Sequence, residues 1–358
     1  MLSLMRKVTI FGSSKRVNMN KAVMLIVFFS CCLISAVSCK RNHYKINISS
    51  IEAGINIQRF EQSIFSSDPA GLPADIPLLK KEYGSFLQLF SFVINAGNVN
   101  DTSFANKLVN FVTDRLNYEV YEKVTETFPV MDSYKKDLEE AFRHYLYYFP
   151  EMNVPSVITC ITGFNNSIIT GDSVIGIGLD RYLGTECSYY RRLEIYNYMA
   201  ANMNPWNIVP DCMYGWGASE WDYGIMNYAD DNVLTAIIHE GKLKYFQKCM
   251  LPDLNDTILF GFTAGQMKFC RNNERQMWQY LLEYDLLFST DQFVIRKLTG
   301  NAPFTSYFTN ESPGRAATWI GFRIVESCMM KNRDMTLGEL MNTRDIQDIL
   351  RKAKYNPE

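Results

Sequence analysis

The sequence predicts an α+β fold: one mainly helical domain with a small β-sheet or hairpin, carried behind an N-terminal targeting segment. Three observations lead there. Apolar residues recur at spacings of three and four through most of the chain, one β-branched stretch near the middle breaks that period, and nothing after about residue 45 reads as a repeat or a low-complexity tract. Of the 358 residues, 47% are apolar and 14% aromatic, which is enough to enclose a sizeable core and too much for a disordered chain.

The chain opens with Arg6, Lys7, Lys15, Arg16 and Lys21 and no acidic residue before Cys39. An uncharged run, AVMLIVFFSCCLISAVS over 22–38, follows Lys21 and stops at Cys39-Lys40-Arg41. This is the layout of a signal peptide, and the run is short and Ser/Cys-diluted for a permanent membrane span. Ala36-Val37-Ser38 places small residues before Cys39, as in the lipobox of bacterial lipoproteins, so Cys39 is the expected lipid attachment point. Cys31 after Ser30 is a second candidate with a shorter apolar region. Met19 is an alternative start, because MNKAVMLIV is a complete signal by itself. The expected division is 1–38 signal peptide, 39–50 lipidated tether and 51–358 globular domain. Removing the five leader cations leaves 31 Lys and Arg against 38 Asp and Glu, a net −7. An acidic body without a basic stripe excludes nucleic acid as a partner.

Helical periodicity predicts helices over Leu78–Val93, Phe104–Glu126 and Tyr134–Phe149. The period then changes. VPSVITCIT over 154–162, a turn at Gly163–Ser167 and a second run over Ile168–Leu179 predict a hairpin, in which Gly176 and Gly178 mark a close approach or a bulge. Asp230-Asp231 are expected to cap a helix over Val233–Cys249, and Thr263–Phe288 reads as one long helix. Ser312-Pro313 is an expected N-cap with Pro at the first position, opening Gly314–Met330. Thr336 with Glu339 forms a capping box for a C-terminal helix. Cys160, Cys187, Cys212, Cys249, Cys270 and Cys328 contain no CxxC pair, which favours scattered buried thiols over a metal ribbon, with disulfides as the alternative in an oxidising compartment.

Only three histidines occur, His43, His144 and His239, and their scarcity constrains the chemistry. His239-Glu240 lies inside an apolar helical run, IIHEGKLKYF, where a zinc peptidase carries HExxH. Two histidines four apart share a helix face and grip the ion while Glu activates water. Here the second position is Leu243, which cannot ligate. The enzyme alternative is therefore a metallopeptidase with unusual ligands, His144, His239 and Glu311. No GxSxG occurs for a serine nucleophile. Asp230/Asp231, Glu139/Glu140 and Glu274/Glu283 read as caps or solvated helix faces. A denser cluster spans 261–327. There Gln266, Lys268, Asn272, Glu274, Arg296, Glu311 and Arg315 alternate with Trp278, Tyr280, Phe304, Tyr307 and Trp319, which suits a groove or partner surface, or helices packing through aromatics.

Several runs together carry a family resemblance: IGLDRYLG (177–184), IIHEGKLKYF (237–246), GFTAGQMKFCRNNE (261–274), MWQYL (277–281), LLFSTD (286–291), RKLTGNAPFTSYF (296–308) and ESPGRAATWIGFRIV (311–325), with INIQRFEQSIF (55–65) and LKKEYGSF (79–86) upstream. On these the chain resembles the gliding-motility lipoprotein GldB family of Bacteroidetes. The resemblance implies a lipid-anchored envelope protein linked to gliding or secretion, and a scaffold similar to HExxH zinc peptidases with a degenerate, zincin-like architecture. It further implies that Ile177–Asp180 is the edge strand beside the old cleft, that His239 and Glu240 mark the cleft floor as vestigial positions, and that Glu311 stands at a third-ligand position. The expectation is a partner-binding component without catalysis, metal or cofactor, anchored through its lipid and facing the periplasm, with Asp180, Gln266, Lys268, Asn272, Glu274, Arg296 and Arg315 as candidate groove residues. A small-molecule receptor is a third reading, and it requires an apolar pocket with a few convergent polar groups.

Overall fold

A computed structural model describes residues 42–221 and 231–358. The leader (1–38), Cys39 and Asp230 of the expected helix cap lie outside the described residues. The compact unit Tyr44–Glu358 is organised around one helix crossing.

The chain enters with β1 (Ile57–Arg59) and a helical half made of α1 (Phe60–Phe65), α2 (Leu72–Tyr83), α3 (Ser85–Val93), α4 (Phe104–Thr113), α5 (Arg115–Thr127) and α6 (Asp132–Tyr148). Two predicted helices are each divided in two. Gly84 at φ +52 turns the chain between α2 and α3, and Asp114 caps α5 by accepting from Asn117 N at 3.0 Å. A single glycine or cap residue ends a helix without disturbing the apolar spacing on either side. Before β1, the Tyr44 hydroxyl donates to Glu326 at 2.9 Å, and Arg143 donates to the Ile48 and Ile51 carbonyls at 2.8 Å, so the segment from Tyr44 onward is held on the body.

Next come β2 (Ser156–Cys160), β3 (Ile168–Gly171) and β4 (Val174–Gly178), in a four-stranded sheet ordered β1-β2-β4-β3. The expected pairing is corrected here. The 154–162 run is not the hairpin partner of the next run, because β2 lies parallel to β4, with Val157 opposite Ile175. The hairpin is instead β3–β4, with Gly171 opposite Val174. Asp172 and Ser173 turn the chain within what the apolar pattern joins as one strand. Ile177 and Gly178 therefore belong to an interior strand, and β3 and β1 form the edges. All five residues of β4 are buried, as expected of a strand covered on both faces. Gly176 and Gly178 mark close approaches: a β-carbon would stand 2.5 Å from the Phe86 ring at the first and 2.2 Å from the Asn166 carbonyl at the second.

The second half contains α7 (Ser188–Arg192), α8 (Asn197–Ala200), α9 (Ile208–Glu220), α10 (Val233–Met250), α11 (Asp256–Phe260), α12 (Ala264–Asn272), α13 (Glu274–Glu283), α14 (Gln292–Thr299), α15 (Ala317–Lys331), α16 (Leu337–Asn342) and α17 (Ile346–Ala353). Asn232, and not Asp231 before it, caps α10, accepting from Thr235 N at 3.0 Å. The predicted 263–288 helix breaks at Asn273. The predicted Ser312-Pro313 helix start is also corrected. Ser312 donates to the Thr305 and Thr309 carbonyls, and α15 opens only at Ala317. The Thr336–Glu339 capping box is present.

Helix α10 is buried almost all round and is the axis of the domain. It crosses α15 at Gly241 and Gly321, where a β-carbon on Gly321 would stand 1.6 Å from the Ile237 carbonyl oxygen. Only glycine permits so close a backbone approach. Among the described residues no helix is long and apolar enough to cross a membrane.

Candidate functional site

The His239-Glu240 pair sits on α10, partly buried, facing α9. Glu240 accepts the Tyr214 hydroxyl at 2.9 and 3.1 Å. Leu243, at the position of the second HExxH histidine, is 2% exposed and packs beside Gly217 of α9. His144 is buried on α6 with Nδ1 2.9 Å from its own helix carbonyl at Glu140, and Glu311 stands on an exposed loop. Among the described residues no three His, Cys, Asp or Glu side chains converge as metal ligands. His144, His239 and Glu311 thus do not form the ligand set that the enzyme alternative needs.

A different constellation occupies the α9–α10 seam. Spacings of three and four residues put Asp211 and Tyr214 on one face of α9, and Glu240, Lys244 and Gln247 on one face of α10. The Lys244 ammonium lies 4.5 Å from the centre of the Tyr214 ring and donates to Gln247 Oε1 at 3.0 Å, while Gln247 donates to the Pro210 carbonyl at 2.7 Å. Asp211 accepts the Tyr182 hydroxyl at 2.9 Å. Burial dominates the electrostatics. It pushes Lys244 down to about 8, helped by the nearby Arg315 charge and opposed by Glu240 and Asp211, and it raises Asp211 to about 6. Tyr214 and Tyr182 are driven well above the usual phenol value by burial and their carboxylate neighbours. The seam therefore holds a carboxyl and an amine whose proton affinities are both drawn toward neutrality.

Arg315 joins this seam to a cleft of about 350 Å³ bordered by α8, α11, α12 and the 301–315 loop. The loop is fixed from inside. Buried Thr305 donates to the Pro313 carbonyl at 2.8 Å and accepts from Ala316 N at 2.9 Å, and Arg315 adopts a left-handed backbone, φ +51. Arg315 then donates to the Phe260 carbonyl at 2.8 Å. Gln266 also lines the cleft, and its side-chain carbonyl closes the α12 capping box with Thr263.

Of the expected groove residues, only Gln266 and Arg315 come together. Lys268, Asn272 and Arg296 are exposed, and none lines this cleft. Glu274 is a structural hub, accepting Trp319 Nε1 at 3.0 Å, Arg323 at 3.2 Å and the Tyr355 hydroxyl at 2.9 Å, so it binds α13 to α15 and the C-terminus. Asp180 is fully buried and accepts from Thr162 N and Phe164 N, which fixes the loop before β3. Burial raises its pKa to about 6 against those bonds. Sequence reasoning missed Asn202, Trp206, Asn207, Asp211 and Tyr214. The last four share one signal, a run of polar and aromatic residues, NPWNIVPDCMYGWG (204–217), with no motif spacing, and Asn202 lies just before it.

A family model described as gliding motility protein GldB matches residues 41–357. No curated protein matches the chain, and no solved structure does.

Proposed function

Because the chain belongs to the gliding motility protein GldB family, we propose that it is a lipid-anchored, periplasm-facing component of the cell envelope that acts by binding a partner and not by hydrolysis. The observation that carries this reading is the seating of α10. The second-histidine position is an enclosed leucine, and Glu240, which would activate water, is bonded to Tyr214. In this reading the His239-Glu240 pair is the remnant of a zincin-like ancestor, and binding has moved to the Arg315 cleft. Lys40-Arg41 behind the lipidated Cys39, in place of acidic residues, supports retention on the periplasmic side.

Complementation of a deletion strain tests the proposal. Glu240→Gln and His239→Ala are expected to restore the envelope phenotype at normal protein levels, while Arg315→Ala does not, and crosslinked partners are expected to be lost from Arg315→Ala alone. Failure of Glu240→Gln at normal accumulation would mean chemistry at that carboxylate and overturn the proposal.

A further inference from the structure

The cleft has the character of a ligand site in three independent respects. First, its lining among the described residues contains no acidic side chain and one cation, Arg315. No carboxylate oxygen lies within 4.0 Å of that guanidinium among the described residues, and beyond the bond to the Phe260 carbonyl its N–H groups meet no other protein acceptor there. A partly buried guanidinium held in place, with no carboxylate in salt-bridge reach and only the longer-range field of Asp211 behind it, is arranged to receive an anion. The loop orients it at the expense of a left-handed backbone, the kind of strain that collects at functional sites.

Second, the rim is aromatic. Trp206 is 61% exposed, and Tyr198 stacks on Tyr196 at 5.5 Å with rings 11° from parallel, so the Tyr198 wall is held flat. Exposed, braced rings at a cleft mouth offer apolar faces for a flat ligand.

Third, the remaining polar lining is neutral and both donates and accepts: Asn202, Asn207, Gln266 and Asn301. Arg315 and Asn202 converge, since a β-carbon on Gly261 would stand 2.7 Å from Arg315 Nη2 and 2.9 Å from Asn202 Nδ2. A bare phosphate would leave the rings and distant amides unused. The apolar lining, Ile258, Phe262, Pro303 and Pro313, is interleaved with the amides, a mixed wall that suits a ring with one apolar face and a hydroxylated edge. We infer that the cleft binds an acidic saccharide, with its carboxylate on Arg315, its hydroxyls on the amides and a sugar face on Trp206. The inference rests on reading the molecule as a binder, and it adds the ligand class. The cleft volume falls in the range of small-ligand sites.

Titration calorimetry on the purified full chain in detergent tests this, with a glucuronate-containing disaccharide, the same disaccharide with its carboxyl reduced to the alcohol, inorganic phosphate, and glycylglycine. The acidic disaccharide is expected to bind, and carboxyl reduction or Arg315→Gln to weaken it at least about tenfold, as expected for a charge-assisted contact. Trp206→Ala, a change at an exposed side chain, is expected to weaken the disaccharide about fivefold and leave phosphate unaffected. Absence of disaccharide binding, equal binding of the reduced sugar, equal binding of phosphate or glycylglycine, or indifference to Trp206→Ala each overturns the inference. Cleavage of the disaccharide would instead sink the non-hydrolytic reading while leaving the ligand class intact.

Discussion

Replacing Lys244 with methionine tests whether the buried lysine is kept at a cost to stability. The side chain is 8% exposed, its ammonium meets Gln247 and the Tyr214 ring, and no carboxylate lies within 4.0 Å of it among the described residues. Burial lowers it from an ordinary 10.5 to about 8. At about 1.36 kcal/mol per pH unit, this amounts to about 3 kcal/mol lost from folding while the group stays charged. The unfolded chain holds a proton that the folded protein releases between about pH 8 and 10.5, so stability rises with pH across that window, and below it the whole cost applies. Methionine fits the aliphatic stem without the charge. Lys244→Met is expected to be about 1–3 kcal/mol more stable than wild type at pH 7, the lower end reflecting the lost bond to Gln247 and the lost field at Glu240 and Asp211. Urea unfolding at pH 7 and pH 10 reads both values, and the gap is expected to shrink below about 1 kcal/mol at the higher pH. Lys242 is also pushed down to about 8, so the difference between the two proteins, not the slope of either, isolates Lys244. A variant less stable than wild type at both pH values, by an unchanging margin, would refute the reasoning and mean that Glu240 and Asp211 fully compensate the buried charge.

The helix crossing is expected to tolerate no side chain. Gly321→Ala should lose about 3 kcal/mol or more in chemical unfolding, because its β-carbon meets backbone, while Gly338→Ala, whose nearest contact would be 3.7 Å, should gain a few tenths to about 1 kcal/mol. Glu274→Gln should cost about 1–3 kcal/mol, since Arg323, Trp319 and Tyr355 share that carboxylate, and the same unfolding measurement checks it. Thr305→Val should cost about 1–3 kcal/mol and weaken ligand binding at the cleft, although Thr305 does not line it, because Arg315 loses the staple behind it. Calorimetry on the folded variant separates the two effects.

Much of this architecture was legible in the sequence, and the misreadings have physical causes. Leu78–Val93 and Phe104–Glu126 carry helical periodicity through Gly84 and Asp114, because the faces on either side of each break still need to be buried. The parallel pairing of β2 with β4 was hidden because periodicity specifies which face of a strand is buried and not which strand lies beside it. β1, three residues long, is below what any pattern resolves. The helix carrying His239 was found by its motif, yet the polar groups it carries into the seam are Glu240, Lys244 and Gln247, whose neighbours Asp211 and Tyr214 lie on α9 some thirty residues earlier. The cleft combines residues near 200, 260 and 310. Such a site has no local spacing to read, and its most informative member, Arg315, is distinguished only by what it lacks in three dimensions.

Placing a histidine at the second HExxH position probes whether this helix can take a metal. Leu243→His rebuilds HExxH in the sequence, and positions 239 and 243 share a helix face. That face is not a cleft floor. Leu243 is 2% exposed, with its methyl groups against α9 near Gly217, and Phe246 one turn on is fully buried beside the same glycine. An imidazole placed there gives up apolar contacts and brings a polar ring into the core, which should cost about 2–3 kcal/mol. It also supplies only two ligands from this helix, where a zinc site with chemistry needs three from the protein, and among the described residues of the natural sequence no group of three His, Cys, Asp or Glu side chains stands ready as a metal site. The variant is therefore expected to unfold at lower urea than wild type and to retain no stoichiometric zinc after dialysis. Zinc retained one-to-one with a rise in stability would mean that the seam can reopen around α10, and the enclosed leucine would then be a recent plug in a working metal scaffold.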